Sequence, residues 1–63
     1  MFLKFIRACN KYMFTYLLNT YSGLELILRP KNTFDSIKIR VGYSNYHKLF
    51  KQAIKAMKEY RKS

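Results

Sequence analysis

The chain has 63 residues and a formal net charge of +10, from 13 basic and 3 acidic side chains. That imbalance favours anionic partners: nucleic acid, an acidic protein surface or an anionic membrane surface. Cys9 and His47 are the only residues of their kinds. An intrachain disulfide is therefore impossible, and too few ligands exist for a structural zinc site. No cofactor is expected.

A single domain of this length buries only about 60% of the surface its unfolded chain exposes. Small domains of this kind often recruit a second subunit, so a homodimer is one option. Core material is not short, with six tyrosines, five phenylalanines and 49% hydrophobic residues; disorder requires a less hydrophobic chain. Lys, Tyr, Phe, Ile and Asn, all with AT-rich codons, supply nearly half of the residues. This points to a low-GC source, such as a virus of a low-GC bacterium.

Residues 1 to about 11 read as a helix, with Phe2, Phe5, Ile6 and Cys9 on one side and Lys4, Arg7 and Lys11 on the other. The same basic residues interrupt every apolar run, which argues against a signal peptide. No apolar stretch approaches the roughly 20 residues of a membrane span. With one thiol, the chain is expected in the cytosol, that of the host if it is viral. Residues 12–18 are ambiguous. Tyr12, Met13, Tyr16 and Leu17 continue the helical face, whereas Tyr, Phe and Thr favour strands. Either the helix runs on to Asn19 or a strand starts near Tyr12. A turn follows over 19–23, where Gly23 can take positive φ.

Residues 24–29 read as a strand, with Leu24, Leu26 and Leu28 on one face and Glu25, Ile27 and Arg29 on the other. Residues 30–33 read as a turn. Residues 34–42 read as the partner strand, in which Ile37, Ile39 and Val41 alternate with Ser36, Lys38 and Arg40. Ser44 or Asn45 can cap a last helix over about 45–61. The expected fold is a small α+β domain: an N-terminal helix, an antiparallel hairpin or three-stranded meander, and a C-terminal helix packed on the sheet. The three-stranded version, α-β-β-β-α, matches the double-stranded-RNA-binding fold in the order of its elements, on a chain short for that fold.

Lys48, Lys51, Lys55, Lys58 and Lys62 recur at alternating steps of three and four. On a helix this confines them to roughly an 80° arc. Tyr46, Leu49, Phe50, Ala53, Met57 and Tyr60 fall on the opposite side. The four neighbouring lysine pairs each cost about 0.2–0.5 kcal/mol, less in salt, and Glu59 alone lies close enough to offset them. A polyanion lying along the strip would relieve this repulsion. A solvated lysine face near a helix C-terminus is the plain alternative.

Catalysis finds little support. Glu25, Asp35, Glu59 and His47 form no pair at a recognisable spacing, and Cys9 sits on an apolar helix side. Tyr60, Arg61, Arg40 and Tyr43 could serve a small basic ribonuclease, but no motif carries that reading. The expected function is non-enzymatic binding of DNA or RNA by the five lysines, with Arg29, Lys38 and Arg40 extending the patch if the sheet's outer face is adjacent. Tyr43, Tyr46 and Tyr21 could stack on unpaired bases. The alternative is a small inhibitor or antitoxin-like protein binding an acidic host surface. A membrane-surface helix ranks below both, because its apolar face is needed for the core.

Overall fold

The computed structural model describes residues 2–21, 23–42 and 44–62. Helix α1 (Phe2–Tyr12) leads directly into strand β1 (Phe14–Asn19). Strands β2 (Leu24–Pro30) and β3 (Ile37–Val41) follow, and helix α2 (Tyr46–Lys62) ends the fold. The strands form one antiparallel sheet in the order β1-β2-β3. This is the three-stranded version of the expected α+β domain.

The ambiguous stretch after α1 is resolved as a strand, and Met13 is the break. It adopts φ 60°, a left-handed conformation that a side chain like methionine rarely takes. One residue in that state ends the helix and turns the chain into the sheet, after which Phe14, Thr15 and Tyr16 follow their strand preference. Arg61 secures the junction from the far end of the chain. Its Nε–H donates to the Tyr12 carbonyl at 2.6 Å, and its Nη2 donates to the Met13 carbonyl at 3.1 Å. The guanidinium also lies 5.4 Å from the ring centroids of both Phe14 and Tyr60.

Alternation in β2 fixes which face is inside. Leu24, Leu26 and Leu28 are buried. Their neighbours on the same face are Tyr16 and Leu18 of β1, and Ile37, Ile39 and Val41 of β3. Both helices pack on this face, α1 against β1 and α2 against β2 and β3. They contribute Phe5, Ala8 and Cys9 from α1, and Leu49, Phe50, Ala53 and Met57 from α2, to one core. Burial pushes the Cys9 thiol's pKa up. Phe2 meets Phe50 at 5.5 Å near the start of α2, while Arg61 at its other end reaches the last residue of α1. The two helices thus run side by side in the same direction.

Three boundaries differ from the sequence reading. Pro30 belongs to β2 and is buried, rather than opening the turn. The Lys31 N–H turns toward β1 and donates to the Met13 carbonyl. The position before it therefore faces the β3 side, where β3 has already ended at the Leu28–Ile37 pair. Proline's missing N–H costs no ladder bond there. Strand β3 starts at Ile37 and not at Phe34. The Asp35 N–H donates to the Thr33 hydroxyl at 2.9 Å, closing a tight turn around Phe34. Helix α2 starts at Tyr46, with the Asn45 carbonyl accepting from the Leu49 N–H, which makes Asn45 the cap position. The expected turns hold at Gly23, with φ 114°, and at Asn32, with φ 67°.

Replacing the half-exposed Met13 with glycine should remove the left-handed strain and raise stability by about 0.5–1 kcal/mol, seen as a higher urea midpoint at unchanged slope. Arg61→Lys keeps the charge but loses the forked geometry and the ring contacts. It should cost about 1 kcal/mol in the same measurement.

Candidate nucleic-acid interface

Helix α2 lies on the sheet through Leu49, Ala53 and Met57, which are fully buried. At 100° per residue, the mean direction of the five lysines is nearly opposite that of these contacts. Lys48, Lys51, Lys55, Lys58 and Lys62 are all exposed, so the strip lies on the outer surface of the helix layer. From Lys48 to Lys62 it runs about 21 Å at 1.5 Å per residue. Among the described residues the one salt bridge joins Arg40 to Glu25, at 3.1 Å. Among the described residues, none of the five lysines is neutralised by an ion pair of that kind.

The second group of candidate residues occupies the other side of the molecule. Arg29, Lys38 and Arg40 stand on the sheet face away from the helices, and all are exposed. Arg40 is held by Glu25, its cross-strand partner. The domain measures 29 × 23 × 17 Å, and its thinnest dimension suits one helix layer on one sheet. The sheet cations therefore do not extend the lysine strip. They form a separate, smaller cationic face.

The helix layer carries basic residues that the sequence reading assigned to no site. Lys4, Arg7 and Lys11 are exposed on α1, in the same layer as α2. Their spacing of three and then four residues is the signal that marks the α2 strip. The sequence shows these three on one side of the helix, but a row of three in an 11-residue helix is shorter than the α2 row.

Two loop aromatics stand fully in solvent. Tyr21, 93% exposed, lies in the β1–β2 turn, and Phe34, 100% exposed, lies in the β2–β3 loop. The Phe34 loop is tied to the C-terminal end of the lysine helix, because the Tyr60 hydroxyl donates to the Asp35 carboxylate at 3.4 Å. The Tyr21 turn is at the opposite end of the sheet, beside the last β3 pair, Leu24–Val41. Tyr46 is half exposed, with its ring 6.2 Å from that of Phe50. Tyr43 lies outside the described residues.

The four residues considered for ribonuclease chemistry are dispersed. Arg40 is on the outer sheet face and paired, Arg61 caps α1, and Tyr60 packs on Phe14 with ring centroids 5.5 Å apart. His47 is exposed in the first turn of α2. Among the described residues no cluster of His, Cys, Asp and Glu could hold a metal ion, and no helix is long and apolar enough to cross a membrane. No protein-family model matches the chain, and no significant match was found among curated proteins or solved structures.

Proposed function

We propose that this is a small non-enzymatic protein that binds nucleic acid through the outer surface of its helix layer. The observation that carries this reading is the α2 lysine row: five exposed ammonium groups on one arc, directed away from the core, with no salt-bridge partner among the described residues. Duplex DNA carries one charge per about 1.7 Å of axis, so a row of about 21 Å can follow several phosphates. Lys4, Arg7 and Lys11 add charge to the same layer. Lysines on phosphates position a protein without reading bases, so binding is expected to be largely independent of sequence. The exposed Tyr21 and Phe34 rings are candidates for stacking on unpaired bases. The element order shared with the double-stranded-RNA-binding fold supports this reading by analogy alone.

A second reading is an inhibitor or antitoxin-like protein that docks on an acidic host protein. The fully exposed Phe34, on a tied loop, favours it, since such side chains serve as anchors at protein interfaces.

The two readings separate on salt-dependent binding to random DNA and RNA. With all five lysines on duplex phosphates, log K should fall against log salt with a slope of about −4.5. Replacing Lys51, Lys55 and Lys58 together with glutamine should reduce the slope to about −1.8. It should also weaken binding to every sequence alike. The fold should persist and gain about 1 kcal/mol at low salt, because all four like-charge pairs are removed. No retention on heparin and no gel shift at about 0.1 M salt would refute nucleic-acid binding. Stoichiometric recovery of one acidic protein in a pull-down would then support the inhibitor.

A further inference from the structure

Strand β1 is an edge of the sheet, and among the five described elements it is the one without a charged residue. Natural sheets protect such edges with lysine, proline, bulges or a covering element. The opposite edge follows that rule, since β3 carries Lys38 and Arg40. In contrast, β1 reads Phe-Thr-Tyr-Leu-Leu-Asn in a chain of net charge +10. Its edge is where a second copy would meet the least repulsion. Its exposed residues are uncharged: Thr15, Tyr16, 40% accessible, and Leu17, 61% accessible. A shallow groove of about 310 Å³ lined by Thr15, Tyr16, Leu17, Ile27 and Arg29 adjoins it.

We infer that β1 is a self-association edge, and that two copies pair antiparallel through it to form a continuous six-stranded sheet. Such pairing is isologous, with a two-fold axis through the sheet, and it keeps both helix layers on one side. Because side chains alternate, opposed residues must come from the same face. Placing the axis at Leu17 sets Leu17 against Leu17, Tyr16 against Leu18 and Thr15 against Asn19 of the second copy, and no pair contains a charge. On the outer face Leu17 already lies beside Ile27, and Ile27 beside Lys38. The dimer joins these rows into one stripe of four aliphatic residues flanked by the two lysines. The groove beside Leu17 is then bordered by the second copy. Arg29, which lines the groove as the cross-strand partner of Thr15, and Lys4, Arg7 and Lys11, on the helix packed against β1, are the nearby sources of repulsion.

The salt dependence of this contact is opposite in sign to that of polyanion binding. Added salt screens the mutual repulsion of two +10 chains, so the dimer should tighten as salt rises toward about 0.5 M. Nucleic-acid affinity falls over the same range. Sedimentation velocity on the full chain, free of nucleic acid, tests the assignment. The native chain should form dimer at high salt. Leu17→Lys should weaken the dimer at least tenfold, without loss of helical circular dichroism, because the replaced side chain is mostly exposed. Leu17→Cys should form an interchain disulfide on mild oxidation, since cross-strand spacing of about 4.5–5.5 Å is within disulfide range. Thr15→Cys, set opposite Asn19, should not. A monomer at every salt concentration overturns the proposal, as does a dimer that is indifferent to Leu17→Lys. Neither outcome bears on the lysine strip, which is read by the glutamine variants.

Discussion

Leu24, Leu26 and Leu28 form a single apolar ridge down the central strand, and both helices pack on that side of the sheet, α2 over β2 and β3 and α1 beside it on β1. The alternative, one helix on each face, is closed off because the other face of β2 carries Glu25, Ile27 and Arg29. This one-sidedness governs the rest of the molecule. It turns the apolar face of α2 inward and so turns the lysines outward. It also leaves one sheet face in water.

The charge of the chain works against this arrangement. A net charge of +10 on a domain of 63 residues favours expansion, and a core this small has only a few kcal/mol to oppose it. Local devices limit the damage. Arg61 directs its charge at the carbonyl end of α1, where partial negative charge collects. Arg40 is placed opposite one of the three acidic residues. The α2 lysines have no such salt bridge among the described residues, and what sets them apart from the other basic residues is their number and their single arc on one helix. Their repulsion is a standing cost that an anion in contact with them would remove.

Periodicity made the helices and the central strand legible in the sequence, because each has one buried face and a clean alternation. Glu25 and Arg29 standing opposite three leucines could be read without coordinates, as could lysines every three or four residues opposite Leu49 and Met57. What escaped depended on contacts across the chain. Whether residues 12–18 were helix or strand turned on Met13 accepting a left-handed conformation, which Arg61 supports from 48 residues away. Pro30 entered the strand because β3 stops short of it. The relation between the two cationic groups required knowing that sheet and helices form two layers, and local sequence carries no such information. Lys4, Arg7 and Lys11 carried the right spacing, but over too few turns to stand out.

Cys9 gives the molecule a property unrelated to its partners. The thiol is buried in the core, and burial raises its pKa and so favours the unreactive protonated form. It is also the only cysteine in the chain. A thiol reagent can therefore react rapidly only when α1 lifts or the whole domain opens. The rate of labelling counts those openings directly, so the protein carries its own clock for the breathing of a very small core.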